Sequence, residues 1–156
     1  MKAIYLFDWG DTLMVDFPGV TGKMCDWDVV EAVDGAAEAL SFLSQKGDIY
    51  IATGAAESTE ADIRVAFKRV GLDRYISGYF CKANLGISKG NTDFFSAILE
   101  KLNVQPDRIT MVGDSLENDI NPALAANIRV IWLAENNATA TDSRVRRITS
   151  LRELCL

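Results

Sequence analysis

Apolar and polar residues follow two recurring patterns along this chain. Short apolar runs predict buried strands, and longer stretches with apolar positions at helical spacing predict helices. The predicted strands are Ala3–Phe7, Asp48–Ala52, Tyr79–Cys81, Arg108–Val112 and Arg129–Leu133. The predicted helices are residues 28–46, Glu57–Val70, Thr92–Leu102 and Asn118–Asn127, and a short helix closes the chain. Strands that alternate with helices over short connections predict an α/β fold with a doubly wound, Rossmann-like parallel sheet.

The length and the absence of an internal linker predict a single domain over residues 1–156. The least regular segment, residues 14–27, contains Pro18, Gly19 and Gly22. We interpret it as a short flap over the polar residues that follow the first strand. No large cap domain is expected. No apolar run is long enough to span a bilayer, and the first run leads into Asp8 without a cleavage site. A cytoplasmic protein with no membrane partner is therefore expected.

Net charge and amino-acid composition limit the partners and the catalytic mechanisms that this chain can have. The net charge of −6 does not favour a nucleic-acid partner, and the arginines near the C-terminus are interpreted as a solvated surface. The chain has no histidine, which excludes Ser-His-Asp and Cys-His catalysis and histidine metal ligands. Its three cysteines have no metal-ligand spacing and are expected to be free thiols.

Polar side chains follow three of the predicted strands. Asp8 and Asp11 follow the first strand, Thr53 follows the second, and Asp114 follows the strand Arg108–Val112, with Asp119 shortly after it. If these strands are neighbours in a parallel sheet, the side chains converge at one edge. Clustered carboxylates favour a neutralising cation, and Mg²⁺ prefers oxygen ligands. The pattern predicts a magnesium site.

Four short motifs in order resemble the haloacid dehalogenase superfamily, a group of aspartate-nucleophile phosphatases and relatives. The resemblance covers most of the chain, and the fourth motif is the most specific. The motifs are Asp8-Trp9-Gly10-Asp11-Thr12, Thr53-Gly54, Ser88-Lys89-Gly90 and Gly113-Asp114-Ser115-Leu116-Glu117-Asn118-Asp119. Lys82 and Lys89 are both candidates for the lysine of the third motif. We prefer Lys89, because Lys89 precedes a predicted helix at the spacing of the family.

The resemblance implies a covalent mechanism with a metal. Asp8 would be the nucleophile that forms an aspartyl-phosphate. Mg²⁺ would be held by Asp8, the carbonyl group of Gly10 and Asp114, while Asp119 would position a ligand water or Lys89. The metal would offset repulsion between carboxylate and phosphate.

The resemblance also implies a phosphate-binding set. Thr53 would donate a hydrogen bond to a phosphoryl oxygen, and Lys89 would neutralise the transferring group. Backbone N–H groups after Asp8, at Trp9 and Gly10, and the N–H group of Gly54 would cradle phosphate oxygens.

The first motif departs from the phosphatase pattern at one position. The residue two after the nucleophile is the acid-base aspartate in phosphatases and is Gly10 here, whereas Asp11 stands one place later. Three explanations remain open. Asp11 replaces the missing acid, the substrate has a good leaving group, or the chemistry differs or is lost. The phosphonoacetaldehyde hydrolase branch also lacks this acid but needs a lysine imine, for which Lys23 is the only nearby candidate.

The favoured hypothesis is therefore a Mg²⁺-dependent phosphohydrolase that acts on a small phosphate ester. The alternatives are a weak or inactive member that binds phosphate or a protein, and a phosphonatase-like or dehalogenase-like hydrolase. Capless members of the family accept large substrates or form oligomers in which a neighbour closes the site, so the resemblance also allows a homo-oligomer. Phe17, Met24 and Trp27 in the flap could pack on a partner or on the core, which is the commoner arrangement.

Overall fold

The computed structural model describes residues 2–135, 138–140 and 142–155. In these residues six parallel strands form one sheet in the order β3-β2-β1-β4-β5-β6. The strands are β1 (Ala3–Phe7), β2 (Gly47–Ala52), β3 (Gly78–Phe80), β4 (Ile109–Gly113), β5 (Arg129–Leu133) and β6 (Val145–Ile148). The five strands predicted from the sequence are all present, and the predicted α/β fold is confirmed.

Helices cover both faces of the sheet. They are α1 (Ala36–Ser44), α2 (Glu60–Arg69), α3 (Lys82–Leu85), α4 (Thr92–Leu102) and α5 (Asn121–Ala125). Short 3₁₀ turns lie at Met24–Asp26, Asp73–Tyr75, Pro106–Arg108 and Leu151–Leu154, and a π-helical turn at Leu116–Ile120 leads into α5. Pro122 lies in the first turn of α5, as predicted, where its missing N–H group has no helical partner to lose.

The pleat of the strands divides the core into two apolar layers. In β1, Phe7 packs in the layer formed with α1 and α2, whereas Leu6 packs in the layer formed with α4 and α5. Because side chains alternate across a strand, a central strand covered on both faces is apolar throughout. This arrangement is the doubly wound architecture predicted from the sequence.

The helix predicted over residues 28–46 is wrong in its first part. The helix begins only at Ala36, after Gly35, whose φ of 85° is left-handed. Before it, the backbone N–H group of Val33 donates to the carbonyl oxygen of Leu13, and that of Val15 donates to the carbonyl oxygen of Glu31. Pairing with the segment after β1 therefore replaces the helical hydrogen bonds that the apolar spacing predicts.

The sixth strand was not predicted. β6 pairs with β5 at the edge of the sheet, and Arg146 and Arg147 in its middle are exposed. An edge strand tolerates charged residues, and they protect it from pairing with other chains. A four-residue strand with two arginines therefore carries no apolar run that would reveal it.

The segment of residues 14–27 packs against α2. Met24 and Trp27 are buried in the core, and Phe17 is partly buried against it. The guanidinium of Arg69 donates to the carbonyl oxygen of Trp27 at 2.5 Å, which ties the segment to α2. The predicted core packing of these residues is confirmed. Among the described residues, no helix is long and apolar enough to cross a membrane, and the cytoplasmic location stays a prediction.

Candidate active site

The carboxyl ends of the three central strands bring the predicted polar residues together. β1 lies between β2 and β4, so Asp8, Thr53 and Asp114 follow adjacent strands. The backbone N–H group of Asp8 donates to the carbonyl oxygen of Val112 at 2.9 Å, which extends the pairing of β1 and β4 to this residue. Carboxylate oxygens of Asp8, Asp114 and Asp119 lie within 4.8 Å of one another. The convergence expected from the sequence is present.

Lys89 is the cation of this cluster. Its ammonium group lies 2.7 Å from Asp8 Oδ1 and 2.5 Å from Asp119 Oδ1, and it donates to the carbonyl oxygen of Ala52 at 2.7 Å. Only 3% of the lysine side chain is exposed. The rival Lys82 lies exposed on α3. All three donor positions of the Lys89 ammonium are therefore used within the site.

Asp119 is the buried carboxylate of the cluster, and it contacts two groups. Its Oδ1 contacts Lys89, and its Oδ2 accepts a hydrogen bond from the backbone N–H group of Ser115 at 3.0 Å. Gly113 makes room for it, because a Cβ atom at that position would lie 2.3 Å from Asp119 Oδ2. The π-helical turn that carries Asp119 is a form often found at functional sites.

Thr12 lies between the carboxylates of Asp8 and Asp114, a role that the sequence reasoning did not assign. Its buried hydroxyl group lies 3.1 Å from Asp8 Oδ2 and 3.2 Å from Asp114 Oδ1. A hydroxyl donates one proton, so it serves one of these acceptors at a time. The position of this threonine at the end of the first motif was the feature of the sequence from which its role could have been predicted.

Burial and mutual repulsion raise the pKa values of two of the carboxyl groups. The pKa of Asp114 is raised to about 7 by burial, by its hydrogen bond with Asp8 and by the charges of Asp8 and Asp119. Burial and the charge of Asp8 also raise the pKa of Asp119, against the opposing effect of Lys89. Burial lowers the pKa of Lys89, but the charges of Asp8 and Asp119 outweigh this effect and raise it overall. Lys89 is therefore protonated at neutral pH.

The cluster fits a hard dication. It offers only oxygen donors, and the lysine occupies one oxygen of Asp8 and one of Asp119. The second oxygen of Asp119 already accepts from Ser115, whereas Asp8 Oδ2 and Asp114 Oδ1 contact the Thr12 hydroxyl and the two carboxyl groups contact each other. These last two groups are the ones available to a metal such as Mg²⁺.

An open cleft of about 390 Å³ lies above the cluster. It is lined by Asp8, Gly10, Asp11, Asp16, Gly54, Lys89, Asp114, Ser115, Asn118 and Asp119. Thr53 is buried beside it, and its hydroxyl oxygen accepts from the backbone N–H group of Ala55 at 3.1 Å. Thr53 lines an adjoining depression of about 310 Å³, which shares Gly10 and Asp16 with the cleft.

The Trp9 side chain is part of the core. It is 4% exposed, its ring centroid lies 6.0 Å from that of Phe67, and its indole N–H group donates to the sulfur of Met14 at 3.2 Å. This packing orients the loop that begins at Asp8. The backbone of Trp9 and Gly10, rather than the indole ring, is what this loop can present to a ligand.

Asp11 is exposed and forms part of the loop structure. Its backbone is left-handed, with a φ of 61°, and its Oδ1 accepts from the backbone N–H group of Asp16 at 3.0 Å. Asp16 was not identified from the sequence. Burial and the charges of Asp11 and Asp8 raise the pKa of Asp16.

Comparison with known proteins agrees with the fold and the motifs. The family model of haloacid dehalogenase-like hydrolases matches residues 10–127. This match covers well over half of the chain, which therefore belongs to the haloacid dehalogenase-like hydrolases.

Individual relatives are more distant. The chain is 26% identical over 107 residues to a HAD-hydrolase of Bacillus subtilis, YfnB, covering 66% of this chain and 43% of the relative. It is 27% identical over 130 residues to the pyrimidine 5′-nucleotidase YjjG of Escherichia coli, covering 81% and 56%. The chain thus spans about half the length of these curated relatives.

A solved structure of YfnB from Bacillus subtilis, bound to magnesium, superimposes with a TM-score of 0.76 at 17% identity. The superposition covers 98% of this chain and 96% of that chain. At this identity the likeness establishes the shared fold.

Proposed function

We propose that the protein is a Mg²⁺-dependent phosphohydrolase that transfers a phosphoryl group from a small phosphate ester to Asp8 and then to water. The observation that carries the proposal is the position of Asp8. Its carboxylate ends the central strand β1, faces the cleft, and lies 2.7 Å from the buried ammonium of Lys89. Asp114 lies beside it with an oxygen available to a metal.

The first step is attack of an Asp8 oxygen on phosphorus. The new phosphorus–oxygen bond forms as the bond to the leaving group breaks, which gives an aspartyl-phosphate and an alcohol after proton transfer. Lys89 neutralises charge on Asp8 and on the incoming phosphoryl oxygens, and its buried position keeps that interaction strong. Water then attacks the same phosphorus, releasing phosphate and restoring Asp8.

The metal would be held by Asp8, Asp114 and the carbonyl oxygen of Gly10, with Asp119 in an outer role. When bound, Mg²⁺ would supply positive charge that offsets the repulsion between Asp8 and the phosphate. Asp119 holds Lys89 through Oδ1 and the loop through the Ser115 N–H group. This double use of its oxygens supports a positioning role for Asp119.

The remaining phosphate contacts come from the ends of β1 and β2. The backbone N–H groups of Trp9 and Gly10, the Thr53 hydroxyl and the N–H group of Gly54 are the proposed donors. Gly54 lines the cleft next to Lys89, and the oxygen of Thr53 is fixed by the Ala55 N–H group. The name of the Escherichia coli relative, a pyrimidine 5′-nucleotidase, supports a phosphate monoester as substrate.

A lysine-imine mechanism has less support. Lys23 would have to act as an uncharged amine, but its ammonium group lies 2.9 Å from Asp62. This hydrogen bond and the charge of Asp62 raise the pKa of Lys23, so the amine stays protonated. A phosphonatase-like hydrolase that relies on this lysine is therefore disfavoured.

The test is steady-state hydrolysis of an aryl phosphate with Mg²⁺ and with a chelator, using wild type and Asp8→Asn. We expect turnover that requires both the metal and Asp8, and an unchanged fold in the variant. Substantial turnover by Asp8→Asn would refute the covalent mechanism. Tight binding of Mg²⁺ and phosphate analogues without turnover of any ester would favour the phosphate-binding alternative.

A further inference from the structure

The place of the missing acid is occupied from elsewhere in the chain. Gly10 lines the cleft but offers no side chain to it. A Cβ atom built on Gly10 would point at Asp16, lying 3.5 Å from its Cβ and 3.5 Å from its Oδ2. The Asp16 carboxylate therefore fills the space into which a side chain at position 10 would extend.

The loop after β1 folds back to hold Asp16 there. The backbone N–H group of Asp11 donates to the carbonyl oxygen of Met14 at 2.7 Å, and the Asp11 side chain accepts from the backbone N–H group of Asp16 at 3.0 Å. The backbone N–H group of Val15 donates to the carbonyl oxygen of Glu31 at 2.8 Å. Hydrogen bonds of residues 14, 15 and 16 thus fix the backbone that carries the exposed Asp16 side chain.

Asp16 also stands at the boundary between two parts of the site. It lines the cleft that contains Asp8 and Lys89, and it lines the depression that contains Thr53 and Trp27. A phosphoryl group bound at Asp8 and Lys89 would direct its leaving group away from Asp8. The wall shared by the cleft and the depression is one of the places where the leaving oxygen can lie.

We propose that Asp16 is the general acid and base of the phosphoryl transfer. This proposal rests on the proposed function. In the first step the Asp16 carboxyl group gives its proton to the leaving oxygen as the phosphorus–oxygen bond breaks. In the second step the Asp16 carboxylate takes a proton from the water that attacks the aspartyl-phosphate, which restores the acid. Asp11 is then a positioning residue, since its side chain holds the Asp16 backbone.

The decisive measurement is the leaving-group dependence of kcat/KM. A positioned acid contributes about 10²–10⁴-fold, but only where the leaving oxygen needs a proton. We expect Asp16→Asn to lose about 10²–10⁴-fold on alkyl phosphates and far less on dinitrophenyl phosphate. On dinitrophenyl phosphate the variant is expected to show a burst of phenolate, because the second step lacks its base.

Matched variants separate this role from a structural one. Asp11→Asn can keep its hydrogen bond to the Asp16 N–H group and is expected to keep the leaving-group dependence of wild type. Asp28→Asn, exposed in the region following the flap, is expected to keep the wild-type rate. The double variant Gly10→Asp, Asp16→Ala removes the carboxyl group beside position 10 and places another there, and it is expected to recover part of the alkyl phosphatase activity that Asp16→Ala loses.

Three results would overturn the assignment while leaving the phosphohydrolase intact. One is a wild-type rate for Asp16→Asn on every substrate. Another is an equal loss on all leaving groups, which indicates a structural effect. The third is a leaving-group-dependent loss in Asp11→Asn instead. A wild-type enzyme that hydrolyses no ester with Mg²⁺ would refute the proposed function itself, and with it the role of Asp16.

Discussion

Replacing Lys89 with methionine tests the electrostatics of the site without touching the proposed nucleophile. The ammonium group lies 2.7 Å from Asp8 and 2.5 Å from Asp119, and the exposed fractions of the lysine and Asp119 side chains are 3% and 1%. Methionine keeps the length and apolar character of the side chain but removes the charge. The variant therefore leaves the buried Asp119 and the partly buried Asp8 without their counterion.

The stability that Lys89→Met is expected to lose follows from the burial of the ion pair. Removing one partner of a buried ion pair costs about 3–5 kcal/mol, because the other charge remains in a poorly solvated place. A loss of 1 kcal/mol lowers the melting temperature of a domain of this size by about 2–4 °C. We therefore expect Lys89→Met to melt about 6–20 °C below wild type in chelator at neutral pH. The difference should shrink as the pH falls, because burial and the charge of Asp8 raise the pKa of Asp119 and favour its uncharged form.

Differential scanning calorimetry with two further variants completes the test. Lys23→Met removes a lysine that is 38% exposed and paired with Asp62, so its melting temperature should change far less. The double variant Lys89→Met, Asp119→Asn removes both charges and should be more stable than Lys89→Met alone. A melting temperature of Lys89→Met equal to that of wild type, or strictly additive losses in the double variant, would refute the reasoning.

Two other predictions concern Asp114 and Gly113. The pKa of Asp114 is raised to about 7 in the folded protein, against an ordinary value of 3.8. Between these two pH values the metal-free folded state binds more protons than the unfolded state. The free energy of unfolding therefore falls as the pH rises through this range. Urea denaturation in chelator between pH 5 and 8 should show this fall. Asp114→Asn should reduce the fall and should also reduce the stabilisation of the protein by Mg²⁺. A pH profile of the variant identical to that of wild type would contradict the raised pKa of Asp114. Gly113→Ala should lose about 1–3 kcal/mol, because its Cβ would lie 2.3 Å from Asp119 Oδ2 and must displace that side chain. Wild-type stability and activity of Gly113→Ala would mean that Asp119 moves freely, against its proposed role.

Much of the site could be predicted because its residues follow apolar strands. The runs ending at Phe7 and Gly113 lie in central strands that are buried on both faces, so their composition alone marks them. The residues after such strands must lie at the carboxyl edge of the sheet. That argument brings Asp8 and Asp114 together once their strands are neighbours, and the structure shows that β1 and β4 are.

Other features have no local signal. Residues 28–35 have helical apolar spacing, but the partner of Val33 is the carbonyl group of Leu13, twenty positions away in the chain. Asp16 reaches Gly10 only because the loop folds back on itself. Contacts of this kind depend on tertiary hydrogen bonds, which a pattern along the sequence does not contain.

The central claim is a phosphoryl group covalently bound to Asp8. Rapid quenching during turnover of a phosphate ester with Mg²⁺, followed by borohydride reduction and peptide mass spectrometry, tests it most directly, since reduction converts an aspartyl-phosphate to homoserine. The account predicts homoserine at position 8 in wild type during turnover and none when substrate is omitted. Turnover of the ester with residue 8 recovered only as aspartate, or with the modification at another carboxylate, would contradict it.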